Sequence, residues 1–249
     1  MTKFFVVLVL TLSASLSYAT NISELFKICH QSDKDLDTCL KGAIEVAIKA
    51  IGSKGIPDLG VPPVEPIAVK EITFGSGTDA VQLDQTYYDV KLHGFTDNLK
   101  ITKAHYDAGK KILTFSTFTP ILKQQGKYDL KGKILVIPVY GKGDSLVTLK
   151  DVTMNHVITF EEEKKQGKTY LKVINYEGEM FLKGANFDFK NLFDGNKLLS
   201  DNILKVVNEN WSVIIGELRE GIVKSYSQIF SSIAQSLVSK VPVNDIFPS

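Results

Sequence analysis

From Leu198 to Val238 the apolar positions fall at spacings of three and four: Ile203, Val207, Trp211, Ile214, Leu218, Ile222, Tyr226, Ile229, Ile233 and Leu237. That period predicts one amphipathic helix on the order of 60 Å long if straight. Val206, Val213, Ile215, Val223, Phe230, Ala234 and Val238 widen the stripe. A two-per-heptad seam would indicate a coiled coil, whereas a face this wide indicates burial inside other structure. Gly216 and Gly221 each cost roughly 1 kcal/mol against Ala in such a helix. Their expected reason is close approach of another backbone or a ligand.

The wrapper has to come from the preceding zone, Ile67 to about Phe189, where short β-branched and aromatic runs recur. The expected strands include Tyr87–Leu92, Ile112–Phe118, Lys133–Tyr140, Val152–Phe160 and Thr169–Tyr176. Gly94, Gly126, Gly141 with Gly143, and Gln166-Gly167 punctuate them, and Gly75-Ser76-Gly77 reads as a hairpin turn. The run Ile134-Leu-Val-Ile-Pro-Val-Tyr140 is apolar on both registers, which predicts a sheet covered on both faces or curled around something. Pro138 within it implies an edge or a bulge. Glu161 to Lys165, before Gln166-Gly167, reads as a solvated hairpin tip.

Ahead of the strands, Leu25, Ile28 and Cys29 form one helical face between Ser23 and Ile51. Leu36, Cys39, Leu40, Ala43, Ile44, Ala47 and Ile48 form another. Asp35 or Asp37 caps the second helix, and Gly52 with Gly55 stops it. Ile56 to Pro66 carries four of the eight prolines and reads as an extended hinge.

Lys3, the apolar run Phe4–Leu10 and the small residues closing at Ser17-Tyr18-Ala19 have the form of a secretory signal, with cleavage after Ala19. Residues 1–19 are therefore set apart, and residues 20–249 are read as one domain. The expected product is secreted and makes no stable membrane insertion, because no later apolar run is long enough to span. In that compartment Cys29 and Cys39, the only two cysteines, are expected to pair. Closing a loop of this size contributes roughly 3 kcal/mol. A metal site is not expected, since His30 beside them does not complete a tetrahedral set. Asn21-Ile22-Ser23 is a glycosylation sequon at the expected new N-terminus. Asn210-Trp211-Ser212 also matches but is expected to stay unmodified within the long helix.

With 29 Lys+Arg against 28 Asp+Glu, the net charge of +1 gives no global basic field for nucleic acid. A hydrophobic fraction of 44% supports a large core instead. Nucleophile-elbow, zincin, dinucleotide-binding and phosphate-loop motifs are all absent. The four histidines, His30, His93, His105 and His156, have no carboxylate or nucleophile at motif spacing. The sequence therefore reads as a non-enzyme without a cofactor.

Several stretches, taken in order, resemble the insect takeout and juvenile-hormone-binding protein family over essentially the whole chain. They are Cys29 and Cys39 after the signal, Gly55-Ile-Pro-Asp-Leu59, Pro63-Val-Glu-Pro66 and Val90-Lys-Leu-His-Gly94. Gly126-Lys-Tyr128, the Gly132…Pro138…Gly141-Lys-Gly143 run and Asn191-Leu-Phe-Asp-Gly-Asn-Lys197 continue the series. Asn208-Glu-Asn-Trp211, Glu217-Leu218 and Pro242…Asp245-Ile-Phe-Pro248 complete it. The resemblance implies an α+β fold in which a highly curved antiparallel sheet and N-terminal helices wrap the long C-terminal helix and enclose an apolar tunnel. It also implies non-covalent binding of a small lipophilic molecule. Hormone-binding members typically carry a second disulfide, so two cysteines place this chain nearer the takeout branch. Relatives often have a proline soon after the Glu-Leu pair, where this chain has Glu220-Gly221.

A tunnel needs apolar walls and a few placed polar groups. Met154, His156 and Ile158 share one strand face with Val152 and Phe160, and His156 offers a hydrogen bond to a carbonyl, epoxide or carboxyl oxygen. The alternative for His156 is a core histidine bonded to backbone. Phe115, Tyr128 and Trp211 are either tunnel wall or plain core. Val136 and the helix residues Ile214, Leu218 and Ile222 complete the expected lining, with the tunnel running beside Ile214–Ile222. The favoured ligand is a fatty acid or terpenoid. The competing expectation is a secreted protein of the same fold whose core is filled by its own aromatics and which acts through a protein partner.

Overall fold

The structure, a computed structural model, describes residues 25–74, 77, 81–134 and 136–248. The expected signal segment, Asn21, and Gly75 with Ser76 of the expected turn lie outside the described residues. Helix α1 spans Leu36–Ile51 and is followed by strands β1 (Ile67–Phe74), β2 (Val81–His93), β3 (Lys100–Asp107) and β4 (Ile112–Ile134). Then come β5 (Ile137–Lys165), β6 (Lys168–Phe181) and β7 (Gly184–Phe189), and helices α2 (Lys197–Glu209), α3 (Trp211–Val238) and α4 (Val243–Ile246).

All seven strands form one antiparallel sheet, ordered β1-β2-β4-β5-β6, with β3 also on β4 and β7 also on β5. The β4–β5 hairpin is its spine, with 23 and 29 residues in the two strands. Ile112–Phe118 of β4 pairs β3, and Lys123–Ile134 pairs β2. Ser145–Lys150 of β5 pairs β7, and Thr153–Lys165 pairs β6. One long hairpin thus carries two groups of shorter strands, and the curl of the sheet encloses α3, which packs on β6, β1, β7 and β2. Strict alternation along Val152–Phe160 puts Val152, Met154, His156, Ile158 and Phe160 inside.

Several boundaries differ from the sequence expectation. The Lys133–Tyr140 run is two strand ends around a tight turn, because Ile134 pairs Ile137 directly. Gly126, Gly141 and Gly143 lie inside strands. At Gly141 a Cβ would sit 2.9 Å from the Leu192 Cα and 2.9 Å from the Tyr128 hydroxyl, so the glycine marks close approach of another segment. The Ile56–Pro66 stretch is not extended throughout: Pro57–Leu59 form a 3-10 turn closed by the Ile56–Val61 bridge. Glu65-Pro66 is a cis peptide.

The long C-terminal helix is two helices. Asn210 ends α2, with its N–H donating to Val206 O, and begins α3 at φ −109°, ψ 25°. Its side-chain amide also donates to Val206 O at 2.8 Å, bonding the backbone locally as asparagine does at helix ends. The apolar spacing runs through this break, which is why periodicity alone did not reveal it. Asn210 is exposed rather than shielded within a helix.

At the other end, the side chain of Asp35 accepts from the Thr38 N–H at 3.2 Å and caps α1, while Gly52 at φ 42° closes it. Cys29 lies outside any regular element and is bonded to Cys39 of α1, with Cα atoms 5.9 Å apart. Cys29 is buried with Leu40, Leu99, Ile101 and Ala104, so the bond fastens α1 onto β3.

Candidate functional site

An apolar cavity of about 240 Å³ lies under α1, at the C-terminal end of α3. Helix α1 supplies Ile44, Ala47, Ile48 and Ile51, and α3 supplies Phe230, Ile233, Ala234, Leu237 and Val238. The strands supply Leu113, Phe115 and Thr117 from β4, Met154, His156, Ile158 and Phe160 from β5, and Tyr176 from β6. Val64, Ile67, Phe95 and Leu99 complete the wall, and no Asp, Glu, Lys or Arg occurs among these lining residues. The packing follows from strand periodicity: adjacent strands present alternate residues inward, and α1 covers them with one apolar stripe.

The wall's polar groups form one chain. The Tyr176 hydroxyl lies 2.9 Å from His156 Nδ1, and the Thr117 hydroxyl lies 3.2 Å from His156 Nε2. The imidazole stacks on Phe115 with centroids 4.5 Å apart and meets the edge of Phe230 at 5.8 Å. Burial drives the His156 pKa down to about 4, so the ring is neutral near pH 7. Burial likewise raises the Tyr176 phenol. The partners of His156 are thus the hydroxyls of two residues that also line the cavity, rather than the backbone groups expected of a plain core histidine.

Glu65, from the Pro63-Val-Glu-Pro66 motif, shapes the rim. One carboxylate oxygen accepts from Gly94 N–H at 2.9 Å and Phe95 N–H at 2.8 Å, and the other lies 3.1 Å from His93 Nδ1. These bonds hold the turn that carries Phe95 into the wall.

A second, much smaller cavity of about 40 Å³ lies at the other end of the barrel-like core. Ile214 and Leu218 line it with Leu83, Gln85, Tyr87 and Phe189. Gln85 Oε1 accepts from the Tyr87 hydroxyl at 3.0 Å, while its Nε2 has no partner among the described residues. A series of ring contacts joins the two cavities: Tyr87 to Phe74 at 5.4 Å, Phe74 to Tyr226 at 6.2 Å, and Tyr226 to Phe230 at 6.2 Å. The Tyr226 hydroxyl donates to Gln124 Oε1 at 2.9 Å, fixing the middle of this aromatic block. A larger space of about 1080 Å³ between β6 and α3 is lined by Glu177, Glu179, Arg219, Glu220 and Lys224 among others, and offers no apolar enclosure.

Of the sequence-derived lining, Phe115, Met154, His156 and Ile158 meet at the larger cavity. Ile214 and Leu218 line the smaller one. Ile222 is core between them. Tyr128 is also core, donating to Lys190 O at 2.7 Å and packing edge-on to Phe189. Trp211 is half-buried against the main core at the start of α3. Val136 is 89% exposed, because it sits in the β4–β5 turn, where chain reversal points it outward. The larger cavity therefore lies beside Phe230–Val238, a helical turn or more beyond the stretch expected from sequence. Gly216 faces open space, with nothing within 4 Å of a built Cβ, so close approach does not explain it. Sequence reasoning missed Thr117, Tyr176 and the four α1 residues; their alternation and stripe were legible, but not which elements converge.

Among the described residues no helix is long and apolar enough to cross a membrane. The family model described as haemolymph juvenile hormone binding protein (JHBP) matches residues 5–248. The chain is 32% identical to the circadian clock-controlled protein daywake of Drosophila melanogaster over 218 residues, 85% of this chain and 84% of that protein. The Drosophila yakuba daywake is 31% identical over the same length. The crystal structure of Epiphyas postvittana Takeout 1 superposes with a TM-score of 0.80 at 25% identity, covering 90% of this chain and all of that one. On these grounds the chain belongs to the haemolymph juvenile hormone binding protein family, a family of lipophilic-ligand-binding proteins, on its takeout branch.

Proposed function

We propose that the protein is a secreted carrier that holds a small lipophile, an acyl chain or terpenoid, in the cavity between α1 and the C-terminal half of α3. The observation that carries this reading is the uncharged cavity whose polar lining is confined to Thr117, His156 and Tyr176. The signal-like sequence ending at Ala19 and the cysteine pair support an extracellular setting. The aromatic block of Phe74, Tyr87 and Tyr226 favours a self-filled middle and so limits the ligand's length.

At about 30 Å³ per water-sized group, 240 Å³ holds roughly eight such groups. Each buried methylene contributes about 0.8 kcal/mol, close to fourfold in affinity. Displacement of a fluorescent apolar probe by methyl esters of increasing length should therefore steepen up to about eight to ten chain atoms and then level or reverse. High salt should leave the series unmoved, because apolar burial is not screened. Ala47→Phe, which projects a ring from α1 into the cavity, should weaken the best ligand at least tenfold with the fold intact by circular dichroism. Affinity flat with length, or untouched by Ala47→Phe, would place the ligand elsewhere.

A further inference from the structure

We infer that the Tyr176–His156–Thr117 chain selects the ligand's polar end: it donates one hydrogen bond to an uncharged acceptor, such as an ester or ketone oxygen, and rejects a carboxylate. This rests on the carrier reading above.

A phenol, a neutral imidazole and a threonine hydroxyl hold three donor hydrogens between them, and the two contacts at 2.9 and 3.2 Å consume two. If Tyr176 donates to Nδ1, then Nε2–H donates to Thr117 and the threonine hydrogen is spare. If Nδ1–H donates to Tyr176, Thr117 donates to Nε2 and the phenol hydrogen is spare. In either tautomer one hydroxyl donor remains, and both residues line the cavity. No other partner is shown for either hydroxyl among the described residues. A ligand oxygen placed there would accept that hydrogen.

A carboxylate accepts hydrogen bonds too, but burying an anion demands a counter-charge or several donors. The wall has no Lys or Arg, and the imidazole is buried with only neutral hydroxyl partners, so it offers no counter-charge. A lone hydroxyl does not replace the hydration an ionised head group loses. An uncharged oxygen loses little and gains a partner.

The test is probe displacement from the full chain by three ligands of matched length, each about ten chain atoms: methyl octanoate, nonanoate and decane. At pH 7.5 the ester should bind at least tenfold more tightly than nonanoate. It should also exceed decane by about three- to tenfold, the worth of one net hydrogen bond. Moving to pH 5 brings nonanoate close to an ordinary carboxyl pKa of about 4.3 and raises its uncharged fraction more than tenfold. Its apparent affinity should rise at least tenfold, while that of the ester stays constant and so reports an intact site. Nonanoate equal to or tighter than the ester at pH 7.5 overturns the selection, and decane equal to the ester overturns the hydrogen bond. Both of those results leave the carrier reading in place. Failure of all three ligands to displace the probe overturns the carrier reading itself.

Discussion

Between pH 6.5 and pH 4 the protein should lose about 3 kcal/mol of stability through His156 alone. The imidazole is 6% exposed and bonded only to neutral hydroxyls, so no charged partner offsets the cost of burying an imidazolium. Its folded pKa is about 4 against an ordinary 6.5. Within that window the unfolded chain carries the extra proton, so stability is fully present above pH 6.5 and falls as pH drops toward 4. Carboxylates held below their usual range, Glu45 by Lys49 and Asp107 by the Lys110 N–H, add to the acid loss. They are common to any His156 variant. Urea midpoints at pH 7, 6, 5 and 4 should therefore diverge between wild type and His156→Gln, the wild-type curve falling more steeply below pH 6.5. Parallel curves would show that His156 is protonated in the fold or that the unfolded chain holds it equally dry. A bound ester, which needs the neutral ring, should shift the wild-type midpoints upward most at pH 7.

How much of this was legible in the sequence depends on the range of the interaction concerned. Strand alternation at Val152–Phe160 and the α3 stripe are local periodicities, and both have the burial they imply. The Asp35 cap and Gly52 stop are local too, settled within four residues. The break at Asn210 was hidden because the apolar positions of α2 and α3 continue in phase across it. The strand glycines were misleading for the opposite reason. Gly126 and Gly141 resemble turn punctuation, but each is required by a segment distant in sequence: Tyr88 carbonyl for one, Leu192 backbone for the other. The site was half legible. The β5 face announced Met154, His156 and Ile158, yet the partners that define the chemistry of His156 come from 39 residues upstream and 20 downstream. Nothing in a one-dimensional pattern says that Thr117 and Tyr176 flank one ring. The register that places them follows from pairing of β5 with both β4 and β6, where Phe115 and Gly178 oppose His156.

Breaking the disulfide should cost about 2–3 kcal/mol from loop entropy and, unlike most surface changes, should reach the ligand. Cys29 and Cys39 are ten residues apart, and the bond anchors an irregular segment to the first turns of α1. The same segment holds the C-terminal tail: the Gln31 N–H donates to Pro248 O at 2.8 Å, and Phe247 packs edge-on against Tyr106 at 4.9 Å. Freed of the bond, α1 is held on β3 by the side chains of Leu36, Leu40, Ala43 and Ile44 against Leu99, Ile101 and Ala104. Ile44, Ala47, Ile48 and Ile51 of that helix are cavity wall, so a looser α1 must be re-ordered when ligand binds. The Cys29→Ser/Cys39→Ser double variant should show faster amide exchange along α1 and residues 243–248, with the β4–β5 spine unchanged. Its affinity for methyl octanoate should fall about three- to tenfold, the equivalent of roughly 1 kcal/mol of added ordering cost. Val136→Ser, at the exposed turn, serves as the matched control and should alter neither. Exchange that rises uniformly over the whole sheet would make the bond a global staple rather than an anchor for α1. Unchanged affinity with a loosened α1 would mean that the helix covers the cavity without holding its contents.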